Sequence, residues 1–103
     1  MIRCLLALLL ALGAGAISAQ PYALARLEQS PRHLEWTTLE GSGGRTLQAF
    51  VAYPERQADA LAVIVIHENR GLTDWVRSFA DQLAEAGFIA IAPDLLSGFD
   101  ADH

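Results

Sequence analysis

His67-Glu68-Asn69-Arg70-Gly71 places an imidazole, a carboxylate, an amide, a guanidinium and a glycine in one run. An imidazole and a carboxylate are the groups that move protons near neutral pH. Each also has a plainer reading. Glu68 taken alone is an ordinary solvated loop carboxylate, and His67 reads as a loop or packing residue. One His beside one Glu falls short of a zinc ligand set, so no metal is expected. Arg70 suits contact with an anionic substrate, but a solvated arginine is the simpler reading. Nucleotide binding is disfavoured. The run has one glycine where the dinucleotide fingerprint has three, and no G-x-x-x-x-G-K-S/T occurs. No cofactor is expected.

Acyl-transfer chemistry would also need a nucleophile, a base and an acid in register. Cys4 is the one cysteine, and the serines are Ser18, Ser30, Ser42, Ser78 and Ser97. Gly41-Ser42-Gly43-Gly44 is not G-x-S-x-G, and Ser97-Gly98 lacks the preceding glycine. His33 opens a strand-like segment, and His103 is the last residue. No nucleophile, acid or base is assigned.

The elements that must carry the His67–Gly71 run are legible. Leu61 to Ile66 is apolar and β-branched, which predicts a strand buried on both faces, as in a parallel sheet covered by helices. Thr73 or Asp74 supplies an N-cap, and Val76, Phe79, Ala80, Leu83 and Ala84 recur at helical spacing. Arg77, Asp81 and Glu85 follow at four-residue steps, a spacing that predicts pairing along one face. Gly87 reads as the C′ glycine, and Phe88–Ala92 as a second buried strand closed by Pro93. Upstream, His33–Leu39 and Thr46–Tyr53 flank Gly41–Gly44 and predict an antiparallel hairpin. The fold class is therefore α/β: an antiparallel hairpin followed by a parallel strand-helix-strand unit. In such sheets ligands bind outside the carboxyl ends of the strands, where His67–Gly71 falls. The loop amides lie near a helix N-terminus that favours negative charge.

The amino end has a different character. Arg3 precedes an apolar run from Leu5 to Ile17, and small residues lie at Ala14-Gly15-Ala16 and Ala19. Residues 1–19 are expected to be a signal peptide, its apolar core being shorter than the roughly 20 residues of a spanning helix. Export to the periplasm or the extracellular space follows, with no stable membrane anchor. Residues 20–32, with Pro21 and Pro31, read as a linker or arm whose middle, Tyr22–Gln29, forms a helical turn or two. The 103 residues fit one domain, and the formal charge is −5 with no lysine. Nothing here clusters cations, which excludes nucleic acid as a partner.

The stretch Val63–Gly98, VIVIHENRGLTDWVRSFADQLAEAGFIAIAPDLLSG, resembles the first strand-helix-strand unit of the dienelactone hydrolase family of α/β-hydrolases. The likeness lies in the strand ending in Glu68, the glycine three residues later, the amphipathic helix, Ala86-Gly87-Phe88 and Ala92-Pro93-Asp94-Leu95. It covers about Leu34 to Gly98, the first third or so of the family domain. Residues 33–103 are therefore expected to be a partial α/β-hydrolase domain. The resemblance implies that Glu68 is the carboxylate that tunes the nucleophile, and that the Asn69 backbone N–H is one of two oxyanion donors. It places the Cys or Ser of a G-x-C/S-x-G elbow, an Asp and a His later in the chain. The expectation is a hydrolase of small-molecule esters or lactones working through an acyl-enzyme, here as an amino-terminal fragment without its nucleophile. The alternative is a noncatalytic exported α/β module or an inactive truncated product. The reading frame beyond the codon for His103 separates them, by holding or lacking an in-frame elbow.

Overall fold

The computed structural model describes residues 19–56 and 58–99. The expected signal peptide, apart from Ala19, lies outside the described residues, as does His103. The elements run α1 (Ala19–Gln29), β1 (Leu34–Glu40), β2 (Thr46–Ala52), β3 (Ala62–Ile64), α2 (Asp74–Glu85) and β4 (Ile89–Pro93). The four strands form one sheet in the order β1-β2-β4-β3. β1 pairs antiparallel with β2 in the register Leu34↔Ala52 to Glu40↔Thr46. β3 pairs parallel with β4, Val63 opposite Ala90, and the ladder runs on through Val65 N–H to Ile91 O at 2.8 Å. This is the α/β arrangement the sequence predicts. One further pairing joins its halves: β2 lies antiparallel to β4, with Phe50 opposite Ala92.

Local chemistry explains the boundaries. The Gly41 N–H bonds to Arg45 O, closing the hairpin, and a Cβ on Gly41 would stand 2.9 Å from that oxygen, so only glycine fits. Thr73 caps α2 by accepting from the Val76 N–H at 3.4 Å. At the other end Gly87 takes φ 102°. Phe88 N–H then bonds to Leu83 O and Gly87 N–H to Ala84 O. That pair of bonds is a Schellman motif.

The core lies between α2 and the sheet: Val76, Ala80 and Ala84 from the helix meet Phe50, Ala52, Val65, Ala90 and Ala92 from the strands. Alanines at the contact let the helix approach the sheet closely. Trp36 and Trp75 are both about half exposed. Trp36 meets Phe50 edge-on and Trp75 stacks on Phe79, so each adds packing area while keeping a wet side.

Three expectations need correction. Residues 20–32 are not a simple arm: α1 is an 11-residue helix, and it buries Ala23 and Leu27. Asp81 does not pair along α2 with Arg77 and Glu85. It is fully buried and accepts from Arg32 Nε at 2.7 Å and Nη2 at 2.9 Å, and from Ser30 Oγ at 2.6 Å. Arg26 of α1 stands 3.5 Å from the same carboxylate and pairs with Glu85, while Arg77 pairs with Asp74. The docking of α1 on α2 brings these partners in and overrides the local spacing. Finally, β3 is not buried on both faces. It is an edge strand with α2 on one face only, and Ile64 and Ile66 are 70% and 72% exposed.

Burial by itself would push the Asp81 carboxyl up. The hydrogen bonds from Arg32 and Ser30, with the charges of Arg32 and Arg26, outweigh it and hold the group below its ordinary value. A depressed carboxylate contributes stability that is fully present above the unfolded-state pKa, about 3.9, and is lost as pH falls through the folded value. Urea midpoints are expected to drop as pH is lowered beneath about 4. A midpoint that rises or stays level there would contradict this assignment.

Candidate functional site

The carboxyl ends of β3 and β4 open on the same side of the sheet, since the two strands are parallel. The loop after β3 carries His67 to Gly71, and the loop after β4 carries Asp94 to Gly98. One side chain, His67, joins them by hydrogen bonds, with Asp94 packed beside it. His67 is 4% exposed at its side chain and Asp94 6%. The Leu95 N–H donates to His67 Nε2 at 2.9 Å. A backbone amide can only donate, so Nε2 is the acceptor and the ring proton sits on Nδ1. Nδ1 then donates to the Glu68 carbonyl oxygen at 2.6 Å. Asp94 Oδ1 lies 3.6 Å from Nε2, outside hydrogen-bond reach, and accepts instead from the Leu96 N–H at 3.1 Å. Asp94 thus bonds its own loop, the role its place after Pro93 suggests.

The rest of the β4 loop is tied to β2. Ser97 Oγ donates to Asp94 O and accepts from the Gln48 N–H, while Arg45 Nη2 donates to Leu95 O and Ser97 O. Ser97 is buried and its hydroxyl is occupied in both directions, which accounts for it as a structural residue. Ser30 is engaged with Asp81, Ser78 is buried, and Ser42 lies exposed in the hairpin turn. Among the described residues no serine hydroxyl hydrogen-bonds to a histidine. His33 pairs with Glu35, next to Tyr53, which also donates to Glu35.

Glu68, Asn69 and Arg70 stand exposed on this bridged base. The chain turns sharply beneath them: the Gly71 N–H bonds to Glu68 O at 3.1 Å, and Gly71 is buried with φ 76°. A side chain there would be strained in the left-handed region. The Asn69 N–H has no acceptor among the described residues. Beside the loop, Ile64, Ile66, Trp75, Phe79 and Leu83 line a groove of about 360 Å³ that reaches His67 and Glu68. The arrangement is an exposed carboxylate at the mouth of an apolar groove, followed in the chain by an amide with no acceptor among the described residues. Among the described residues no group of three His, Cys, Asp or Glu is placed to hold a metal ion.

The family model described as the dienelactone hydrolase family matches residues 47–102. A protein of Escherichia coli (strain K12) named "Putative hydrolase fragment YghX" is 56% identical over 36 residues, 35% of this chain and 31% of that one. A protein of Saccharolobus solfataricus named "Putative carboxymethylenebutenolidase" is 46% identical over 54 residues, 52% of this chain and 20% of that one. The matched stretches thus span a third or less of either relative's length. No solved structure matches the chain significantly.

Proposed function

This chain belongs to the dienelactone hydrolase family, and on that premise we propose that it is the amino-terminal part of an exported hydrolase that cleaves an ester or lactone through an acyl-enzyme. The observation that carries the reading is the Asn69 N–H, without an acceptor among the described residues and held beside exposed Glu68 at the carboxyl end of β3. An amide fixed in advance stabilises an oxyanion without reorganising during the reaction. In the proposed step a Cys or Ser, supplied by sequence outside the described residues, attacks the carbonyl carbon. The carbonyl π electrons move to oxygen, which the Asn69 N–H and a second donor bind. Glu68 takes the proton of the Cys or Ser as its bond to carbon forms, since a carboxylate that kept its charge without accepting that proton would disfavour the anionic nucleophile. Collapse of the tetrahedral intermediate expels the alkoxide and leaves the acyl-enzyme for water.

The substrate class rests on names and shape. The name carboxymethylenebutenolidase denotes action on an unsaturated lactone, and the groove beside Glu68 offers apolar walls to a small substrate. Residues 1–19 complete the proposal as a cleaved signal peptide, with a cut after Ala19 falling at the first residue of α1. Mass spectrometry of periplasmic or secreted protein checks this; soluble cytoplasmic protein retaining Met1–Ala19 would refute it.

The test of the catalytic reading has two arms. The 103-residue chain alone is expected to hydrolyse p-nitrophenyl acetate no faster than a denatured control, because its described serines lack a paired base. A form carrying a G-x-C/S-x-G elbow is expected to show a saturable rate with an acyl burst. A robust rate in the short chain, abolished by Ser42→Ala or Ser97→Ala, would overturn the assignment of the nucleophile to sequence outside the described residues. No rate in the elbow-bearing form would overturn the hydrolase reading and favour a noncatalytic module.

A further inference from the structure

We propose that His67 is the positioning residue that aims the Asn69 N–H, an inference that rests on the oxyanion reading above. The Glu68 carbonyl and the Asn69 N–H belong to one peptide unit. That unit is planar, and the chain has no cis peptide bond among its described residues. In a trans unit the C=O and N–H point in opposite directions, so whatever fixes the carbonyl fixes the amide. Two donors hold the Glu68 carbonyl: His67 Nδ1 at 2.6 Å and the Gly71 N–H at 3.1 Å. The Gly71 bond closes the turn from within the loop and makes no tie to the neighbouring strand end. His67 supplies that tie, because its other nitrogen accepts from the Leu95 N–H at 2.9 Å, in the loop after β4. The ring is a strut between two strand ends, and its side chain is 4% exposed. His67 touches no reacting atom in this arrangement; it acts through the peptide.

The strut requires one tautomer, proton on Nδ1, and it can be dissected atom by atom. An asparagine side chain carries its N–H₂ at the position of Nδ1, and a glutamine places an acceptor near Nε2. His67→Asn therefore keeps the bond to Glu68 and gives up the one to Leu95. His67→Gln does the reverse, and His67→Leu gives up both.

Nuclear magnetic resonance on the 103-residue chain tests this without any activity. Long-range nitrogen–proton spectra are expected to show the Nδ1–H tautomer of His67. The Asn69 amide order parameter is expected near 0.85, the value of rigid backbone, and to fall below about 0.6 in His67→Leu and His67→Gln. His67→Asn is expected to restore most of it. The amides of Val65 and Ile91 serve as controls for the sheet. An Nε2–H tautomer in the native protein, or an Asn69 amide equally ordered in His67→Leu and His67→Gln, would overturn the proposal. The tautomer is read on the native chain, so the proposal is still decided if a variant does not fold. An elbow-bearing form that hydrolyses nothing while His67 still orders Asn69 would count against the hydrolase reading and in favour of the strut.

Discussion

Asp81→Ala is expected to remove a large share of the stability of this chain. The carboxylate is fully buried, and it receives both forks of Arg32 and the hydroxyl of Ser30. The Arg32 side chain is itself only 7% exposed. Deleting the acid leaves the Arg32 guanidinium facing Arg26 across the gap, with only the surface carboxylate of Glu55 still beside it. Breaking a buried pair from one side costs about 3–5 kcal/mol, because the remaining charge is uncompensated. Domains are stable by about 0.05–0.15 kcal/mol per residue, about 5–15 kcal/mol over 103 residues, so a loss of this size is a large share of the total. At about 4–8 °C per kcal/mol for a domain of this size, the melting midpoint should fall by at least about 12 °C, where a transition survives at all. Glu55, whose contact with Arg32 lies at the surface, should matter far less on substitution. The pair double variant Arg32→Met, Asp81→Leu is expected to recover much of the loss, since apolar replacements of similar volume often match a buried ion pair. Thermal melts of the three variants decide it. An Asp81→Ala midpoint within a degree or two of native would show that the cluster between α1 and α2 does not hold them together.

That cluster also marks where the sequence stops being readable. The strand-helix-strand unit from Leu61 to Pro93 is legible because its signals are local: apolar runs of strand length, a Thr73 cap, a Gly87 stop. α1 lacks such signals. Pro21 sits in its first turn and Pro31 lies two residues past its end, and its burial rests on two apolar residues, Ala23 and Leu27. Asp81 carries a signal that misleads, since four-residue steps from Arg77 to Glu85 favour pairing on a solvated face. Its actual partner, Arg32, is 49 residues away, and no periodicity reports a contact at that range. The exposure of Ile64 and Ile66 is hidden for a related reason: an apolar run states what a strand can bury, and the neighbours decide what it does bury. In the loop after β3, Glu68, Asn69 and Gly71 stand where the strand-end rule places them. His67 does not reveal its role, because both of its partners are backbone groups. A carbonyl and an amide are the same in every residue, so their bonds leave no trace in residue identity.

The same property of the backbone governs the kinetics expected at Asn69. In a form of the protein that carries a nucleophile elbow, Asn69→Ala should leave turnover close to native, because the proposed donor is the main-chain N–H and alanine keeps it. Asn69→Pro removes that N–H. Loss of one oxyanion donor costs about 10²–10³ in kcat, and KM should move little, since the bond forms with the charge that develops in the transition state. Proline also restricts the residue before it, so the fold of the variant should be checked by circular dichroism. Glu68→Ala should lower turnover about 10²-fold or more, the range of a group that assists proton transfer or tunes a nucleophile. Its effect on the melting midpoint should be small, for Glu68 is exposed. The contrast between two substitutions at one position is the informative measurement. Equal losses in Asn69→Ala and Asn69→Pro would move the role to the side chain. A native kcat in a folded Asn69→Pro variant would remove this amide from the oxyanion site, and with it the reason for His67 to hold the peptide so tightly.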